Sequence, residues 1–188
     1  MARYLWTDIE GTGLNNQKCS ICEIACFITG DDFVKKQSFH EIIELPAAHW
    51  EMGALQMHMK SGLIDDMNSE KALSEDVVKS KFKAFLKKHH ISDEPFVLAG
   101  SSIHYDKYFL EARWPEVMKG LFSHRLLDVS TIRQSLSSLI GDEKAFSFEG
   151  NYNAPDTVSN HRAVDDIERS YELFKYYIDK GWIGNLKE

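Results

Sequence analysis

The sequence predicts an α/β fold in which a mixed sheet of five short strands is flanked by helices. Three observations carry this. Apolar-rich runs at residues 3–9, 20–29, 33–44, 96–99 and 126–129 have the length and composition of strands. Residues 69–90, 131–140 and 161–180 instead repeat their apolar side chains at the helical period. No internal repeat, low-complexity stretch or linker interrupts the order β-β-β-α-β-α-β-α-α, and 188 residues suit one domain, 1–180, with a short tail at 181–188.

The first strand ends in Asp8-Ile9-Glu10, where Gly11-Thr12-Gly13 and then Asn15-Asn16 break it. Gly30-Asp31-Asp32 is a hairpin turn between the second and third strands, and Pro46 ends the strand run. Residues 47–68 suit short helical pieces through Ala54, Leu55, Met57 and Met59, broken at Gly53 and Gly62. Over 69–90, Leu73, Val77, Val78, Phe82, Phe85 and Leu86 mark a helix that Ser74-Glu75 opens or just enters. Phe96–Gly100 is a fully apolar strand, a helix follows from Asp106, and Pro115 limits it. Leu126-Leu127-Asp128-Val129 is the fifth strand, with Ser130 the natural N-cap of a helix from Thr131 to about Ile140. Residues 141–160, with Gly141, Gly150, Asn151, Asn153, Pro155 and Asn160, read as a loop. The final helix, 161–180, aligns Ala163, Ile167, Tyr171, Phe174 and Ile178 on one face.

Composition narrows the function. The hydrophobic fraction of 43% supports a sizeable core. No stretch approaches the roughly 18 apolar residues of a membrane span. The first residues lack the apolar run of a signal peptide, so the expected location is cytoplasmic. A net charge of −7, from 22 Lys+Arg against 29 Asp+Glu, argues against a broad, non-specific grip on long nucleic acids. It leaves room for a small site with a short substrate, and carboxylates that hold cations add to the negative count. The lysines at 79, 81, 83, 87 and 88 read as a solvated helix face. Cys19, Cys22 and Cys26 read as small apolar side chains, because strand alternation sends Cys19 and Cys22 to opposite faces and a tetrahedral metal site needs a fourth ligand.

The chemistry lies in four acids and one histidine. Alternation puts Asp8 and Glu10 on the same face of one strand end, where they repel each other unless a cation lies between them. Asp106 follows the strand 96–99 and the small-residue turn Gly100-Ser101-Ser102, at a strand-to-helix switch where α/β sheets place ligands. His161-Arg162-Ala163-Val164-Asp165-Asp166 opens the last helix, with His161 and Asp166 about 140° apart around it, so that both can border one cleft. Asp165 is about 100° from Asp166 and points elsewhere. Each piece alone has a plain alternative, a solvated edge pair or acids favouring a helix dipole.

Together the blocks Asp8-Ile-Glu-Gly-Thr-Gly-Leu14, Gly100 to Leu110, Arg125 to Thr131 and His161 to Ile167 resemble those of the DEDDh exonucleases, whose fold is ribonuclease H-like. Within that group the chain is most similar to oligoribonuclease, which degrades very short RNA to mononucleotides, and the resemblance spans residues 3–180. It implies a metal-dependent 3′→5′ exonuclease. Two hard divalent cations, Mg²⁺ or Mn²⁺, about 3.5–4 Å apart would hold the attacking and leaving oxygens. Asp8, Glu10 and Asp166 would share one, Asp8 with Asp106 the other, and His161 would take the proton of the attacking water as general base.

The resemblance also implies that Leu14 packs against a base and that Ser102, Arg125, Ser130 and Thr131 surround a phosphate, where arginine can clamp two oxygens. His58, in Ala54-Leu55-x-x-His58, would line the terminal nucleotide. Three positions depart from the oligoribonuclease pattern: His124 stands where a tyrosine reaches into the partner subunit, Trp50 is offset by three from the stacking tryptophan's place at Gly53, and Gly11 replaces a methionine. The expected partners are therefore single-stranded RNA 3′ ends and a second copy of the chain. The competing readings are a related exonuclease that prefers DNA or longer, structured RNA ends, and an inactive binding module.

Overall fold

Six strands make one mixed sheet in the computed structural model of the protein, in which residues 3–90, 94–141 and 160–183 are described. Strands β1 (Arg3–Gly11), β2 (Ile21–Thr29) and β3 (Lys35–Ile43) form an antiparallel meander. β4 (Ala72–Leu73) runs parallel to β3, β5 (Phe96–Gly100) parallel to β1, and β6 (Phe122–Asp128) parallel to β5. The order across the sheet is β4-β3-β2-β1-β5-β6.

The helices are α1 (Met52–Lys60), α2 (Leu63–Met67), α3 (Glu75–His89), α4 (His104–Arg113), α5 (Pro115–Met118), α6 (Val129–Ile140) and α7 (Ala163–Asp179). Alternation along β1 explains their two layers. Leu5 and Ile9 join a core with Val78, Phe82 and Leu86 of α3 and Phe109 and Leu110 of α4. Trp6, on the opposite face, packs with Ile167, Tyr171 and Phe174 of α7. β2 is covered on both sides and all nine of its residues are buried, which is why it reads as an apolar run apart from Glu23. Its Cys22 and Cys26, with Cys19 just before it, are buried free thiols.

Several sequence expectations need correction. The sheet has six strands rather than five, because Ala72 and Leu73 pair with Ile42 and Ile43 before α3 begins at Glu75. Two residues are too few for any periodicity to register. Gly53 lies inside α1 and does not break it, whereas Gly62, in the left-handed region at φ 75°, does separate α1 from α2. The cap of α6 is Asp128, whose carboxylate accepts the N–H groups of Ser130 and Thr131, so Ser130 lies within the helix. The fifth predicted strand starts earlier, at Phe122. The last helix starts at Ala163, and His161 precedes it at φ 53°, so the helical angle expected between His161 and Asp166 does not apply. Of the predicted loop at 141–160, only Gly141 and Asn160 fall among the described residues.

Candidate active site

The carboxylates gather at the C-terminal ends of the parallel strands β1, β5 and β6, the edge at which such sheets place ligands. β1 ends in Asp8 and Glu10 on the face that α7 covers. Asp166, in the first turn of α7, comes down on them, and one oxygen of each of the three lies within 4.8 Å of the others. Atoms that share one hard cation at about 2.0–2.6 Å lie no more than about 5 Å apart, so this set fits a divalent ion. A close approach underlies the packing: a Cβ on Gly100 of β5 would lie 2.8 Å from the Thr7 carbonyl and 3.7 Å from Ile167 of α7.

The electrostatics agree with that fit. Burial, then the neighbouring Asp106, Glu10, Asp166 and Glu23 carboxylates, push Asp8 well above the usual carboxylate range. Burial and then Asp166, Glu23 and Asp106 push Glu10 up to about 8. Asp106, 5% exposed at the start of α4, is likewise pushed to about 8, mainly by burial, although the Ile9 N–H donates to its Oδ1 at 2.9 Å. Asp106 stands beside the three-oxygen cluster rather than in it. Three acids held against their own charge want a cation.

The predicted substrate residues separate into groups. Ser102, Ser130 and Thr131 do come together, lining an open groove with His104, Asp128 and Gln134. Asp128 organises it: its Oδ1 accepts the N–H groups of Ser102 (3.1 Å) and Ser130 (2.9 Å), while the Ser102 hydroxyl donates to Ser130 Oγ at 3.3 Å. Asp128 does the capping, and Ser130 lies in the groove lining with its Oγ paired to Ser102. Arg125 and His124 are exposed on β6, outside that lining. Leu14 is 71% exposed, on a turn secured by Glu51, which accepts the N–H groups of Leu14 and Asn15. Gly13 permits this, because a Cβ there would lie 2.5 Å from the Glu51 side chain. Trp50 packs at 6.2 Å, edge to face, against His58. The His58 ring has no exposed surface, and its Nε2–H donates to the Gly11 carbonyl at 2.8 Å, so it braces the turn after Glu10. Asp165 is exposed and accepts from the Asn160 amide.

Sequence reasoning missed Glu23, Arg162 and Glu51. Glu23 is fully buried on β2, directly opposite Glu10. Burial alone would raise it, yet hydrogen bonds from His40, Arg162 and the Ala163 N–H hold it below the usual range. Its one signal in the sequence is a charged residue inside an otherwise apolar strand. The partners that explain it lie 17 and 139 residues away.

A family model described as exonuclease matches residues 5–174. The oligoribonuclease of Arabidopsis thaliana is 33% identical over 177 residues, covering 92% of this chain and 75% of that protein. The mitochondrial oligoribonuclease of Homo sapiens is 32% identical over 184 residues, covering 93% and 71%. Among solved structures, a moderately thermophilic exonuclease I from Methylocaldum szegediense superposes with a TM-score of 0.68 at 14% identity. That likeness is one of fold, with a ribonuclease H-like sheet, and the chain covers 97% of itself but 42% of the exonuclease I.

Proposed function

We propose that this chain, which belongs to the exonuclease family, hydrolyses short oligoribonucleotides from their 3′ ends to 5′-mononucleotides. The observation that carries this reading is the close set of Asp8, Glu10 and Asp166 oxygens at the C-terminal edge of the sheet, in a chain one-third identical to an oligoribonuclease. The family is divalent-metal dependent, and the donor set consists of the hard carboxylate oxygens that Mg²⁺ or Mn²⁺ prefer. Two such cations supply charge neutralisation of the phosphodiester and activation of the attacking water.

The chain's own residues do the rest. Asp8, Glu10 and Asp166 hold one cation, and Asp8 with Asp106 supports the other. His161, two residues before the start of α7, accepts the proton of the attacking water. Leu14 and Trp50 contact a base. Ser102, Ser130 and Thr131 hold the phosphate from the groove, and Arg125, exposed on β6 outside that lining, adds its charge once substrate is bound. His58 serves the site through the Gly11 turn. The single domain 1–180 works as a homodimer in which His124 approaches the partner's site; β6 is an edge strand, with His124, Arg125 and Leu126 exposed, which supports this. No helix among the described residues is long and apolar enough to cross a membrane, and we place the protein in the cytoplasm.

The test is a gel time course with Mn²⁺ and 5′-labelled RNA and DNA of two, five and twenty nucleotides, beside Asp166→Ala. Fastest clearance of dinucleotide RNA and a dead variant support the reading. Equal or better shortening of DNA or long RNA moves the protein to another branch of the family. No cleavage of any substrate with either Mg²⁺ or Mn²⁺ overturns it.

A further inference from the structure

We infer that the Glu23–Arg162–Asp66 ion network is a positioning device, holding the start of α7 so that Asp166 and His161 meet the carboxylates of β1. The inference rests on the exonuclease reading above. Glu23 has no exposed surface, yet its two oxygens accept from Arg162 Nε at 3.2 Å each, from Arg162 Nη2 at 3.0 Å, from the Ala163 N–H at 3.0 Å and from His40 Nε2 at 2.8 Å. A buried carboxylate is tolerated when it is paired and hydrogen-bonded in this way, and losing one partner leaves an uncompensated charge.

Its placement ties it to the chemistry. The β1–β2 register sets Glu23 opposite Glu10, so the anchor of α7 and one wall of the metal cluster stand level on adjacent strands. Arg162 at the N-cap position makes no side-chain capping bond, and the Glu23 carboxylate accepts the Ala163 N–H from the sheet. The Arg162 carbonyl then accepts the Asp166 N–H at 3.0 Å, so fixing Arg162 fixes the backbone of Asp166. His161 is the residue before it, held in the left-handed region at φ 53°. Arg162 Nη2 also meets Asp66 Oδ2 of α2 at 2.9 Å, and Trp50 packs against the apolar cluster to which Leu63 and Met67 of α2 belong. The network therefore joins the helix bearing Asp166 to the wall bearing the candidate base contact.

The test measures kcat and KM on dinucleotide RNA, Mn²⁺ affinity by electron paramagnetic resonance of the free ion, and amide exchange over 163–167, for Glu23→Gln, Arg162→Lys and Asp66→Asn. Partners that orient metal ligands typically matter by about 10–100-fold, so Glu23→Gln and Arg162→Lys should lose that much kcat with KM within about 3-fold, bind Mn²⁺ about 10-fold more weakly, and exchange faster at 163–167. Asp66→Asn should do the same to a smaller degree, about 3-fold. The double variant of Glu23 and Arg162 should be no worse than the worse single, the signature of one coupled unit. Folded variants that lose thermal stability but keep wild-type kcat and Mn²⁺ affinity overturn the inference and leave the network a plain brace. If Glu23→Gln does not fold, Arg162→Lys and Asp66→Asn decide, because both leave Glu23 with Ala163 and His40. A wild-type protein that neither cuts RNA nor binds Mn²⁺ removes the exonuclease reading and this one with it; an active wild type with indifferent variants removes only this one.

Discussion

Glu10 and Glu23 face each other across β1 and β2, both nearly or fully buried, and they are perturbed in opposite directions. Glu10 lies in the cluster with Asp8 and Asp166, and burial, then the Asp166, Glu23 and Asp106 charges, push it up to about 8. Glu23 looks toward Arg162, His40 and the start of α7, and their hydrogen bonds overcome its burial and hold it low. The same residue type, at the same level of the same sheet, is structural where the chain provides its own cation and ligand-like where it does not.

The sharpest way to break the comparison is Asp166→Ala. It removes one carboxylate of the proposed cation site, and kcat/KM on dinucleotide RNA should fall at least about 1000-fold, roughly 4 kcal/mol of transition-state stabilisation. Circular dichroism should show the fold intact; residual activity within tenfold of wild type would remove Asp166 from the cluster. A matched pair comes next. Glu23→Gln should destabilise the metal-free protein by about 3 kcal/mol, because Arg162 loses the buried one of its two partner charges. Glu10→Gln should stabilise it at pH 8 by about 1 kcal/mol, because an uncompensated buried charge disappears. Urea melts of both report this, and the same sign for both would end the contrast.

The metal and pH dependence follow from the raised groups. Glu10 and Asp106 titrate near 8 when folded, against ordinary values of 4.5 and 3.8. Between those limits the folded protein keeps protons that the unfolded chain has released. Their stabilising contribution is complete below about pH 4 and lost as pH rises through about 8. The metal-free protein should therefore melt lower at pH 8 than at pH 5. Mn²⁺ at about 100 times its Kd should restore about 2.7 kcal/mol at pH 8, an upward shift on the order of 5–10 °C. A metal-free Tm that rises over this interval would contradict it. The smallest effect belongs to the groove. Ser130→Ala should raise KM by a factor of about 3–10, one neutral hydrogen bond, with kcat unchanged. Its Tm should hardly move, since Asp128 caps α6, whereas Asp128→Ala should cost about 1 kcal/mol in a thermal melt.

Much of this was legible in the chain. Strand alternation suffices to set Asp8 and Glu10 on one face, and the turn of small residues after 96–99 suffices to bring Asp106 to the sheet edge. The helical period of 163–178 correctly identified the face of α7 that meets Trp6, with Ile178 only partly buried at its end. Hairpin β2–β3 and the amphipathic α3 were visible for the same reason, being local patterns repeated several times over. Where the pattern was short or non-local it failed: β4 is two residues long, Gly53 sits in a first helical turn that tolerates it, and the cap of α6 is Asp128 rather than Ser130, its carboxylate also accepting the N–H of Ser102 from a distant turn.

The order of residues alone set the α/β layers, the three acids on or beside β1 and α7, and the family to which they belong, because period, spacing and residue type are properties of neighbours along the chain. The opposite fates of Glu10 and Glu23, the burial of His58 beneath the Gly11 carbonyl, and the capping of α7 from a strand 140 residues earlier were settled by folding. A carboxylate's charge state depends on which donors and which like charges come within a few ångströms of it in a medium of low dielectric, and residues far apart in sequence supply them only once the sheet and α7 have packed.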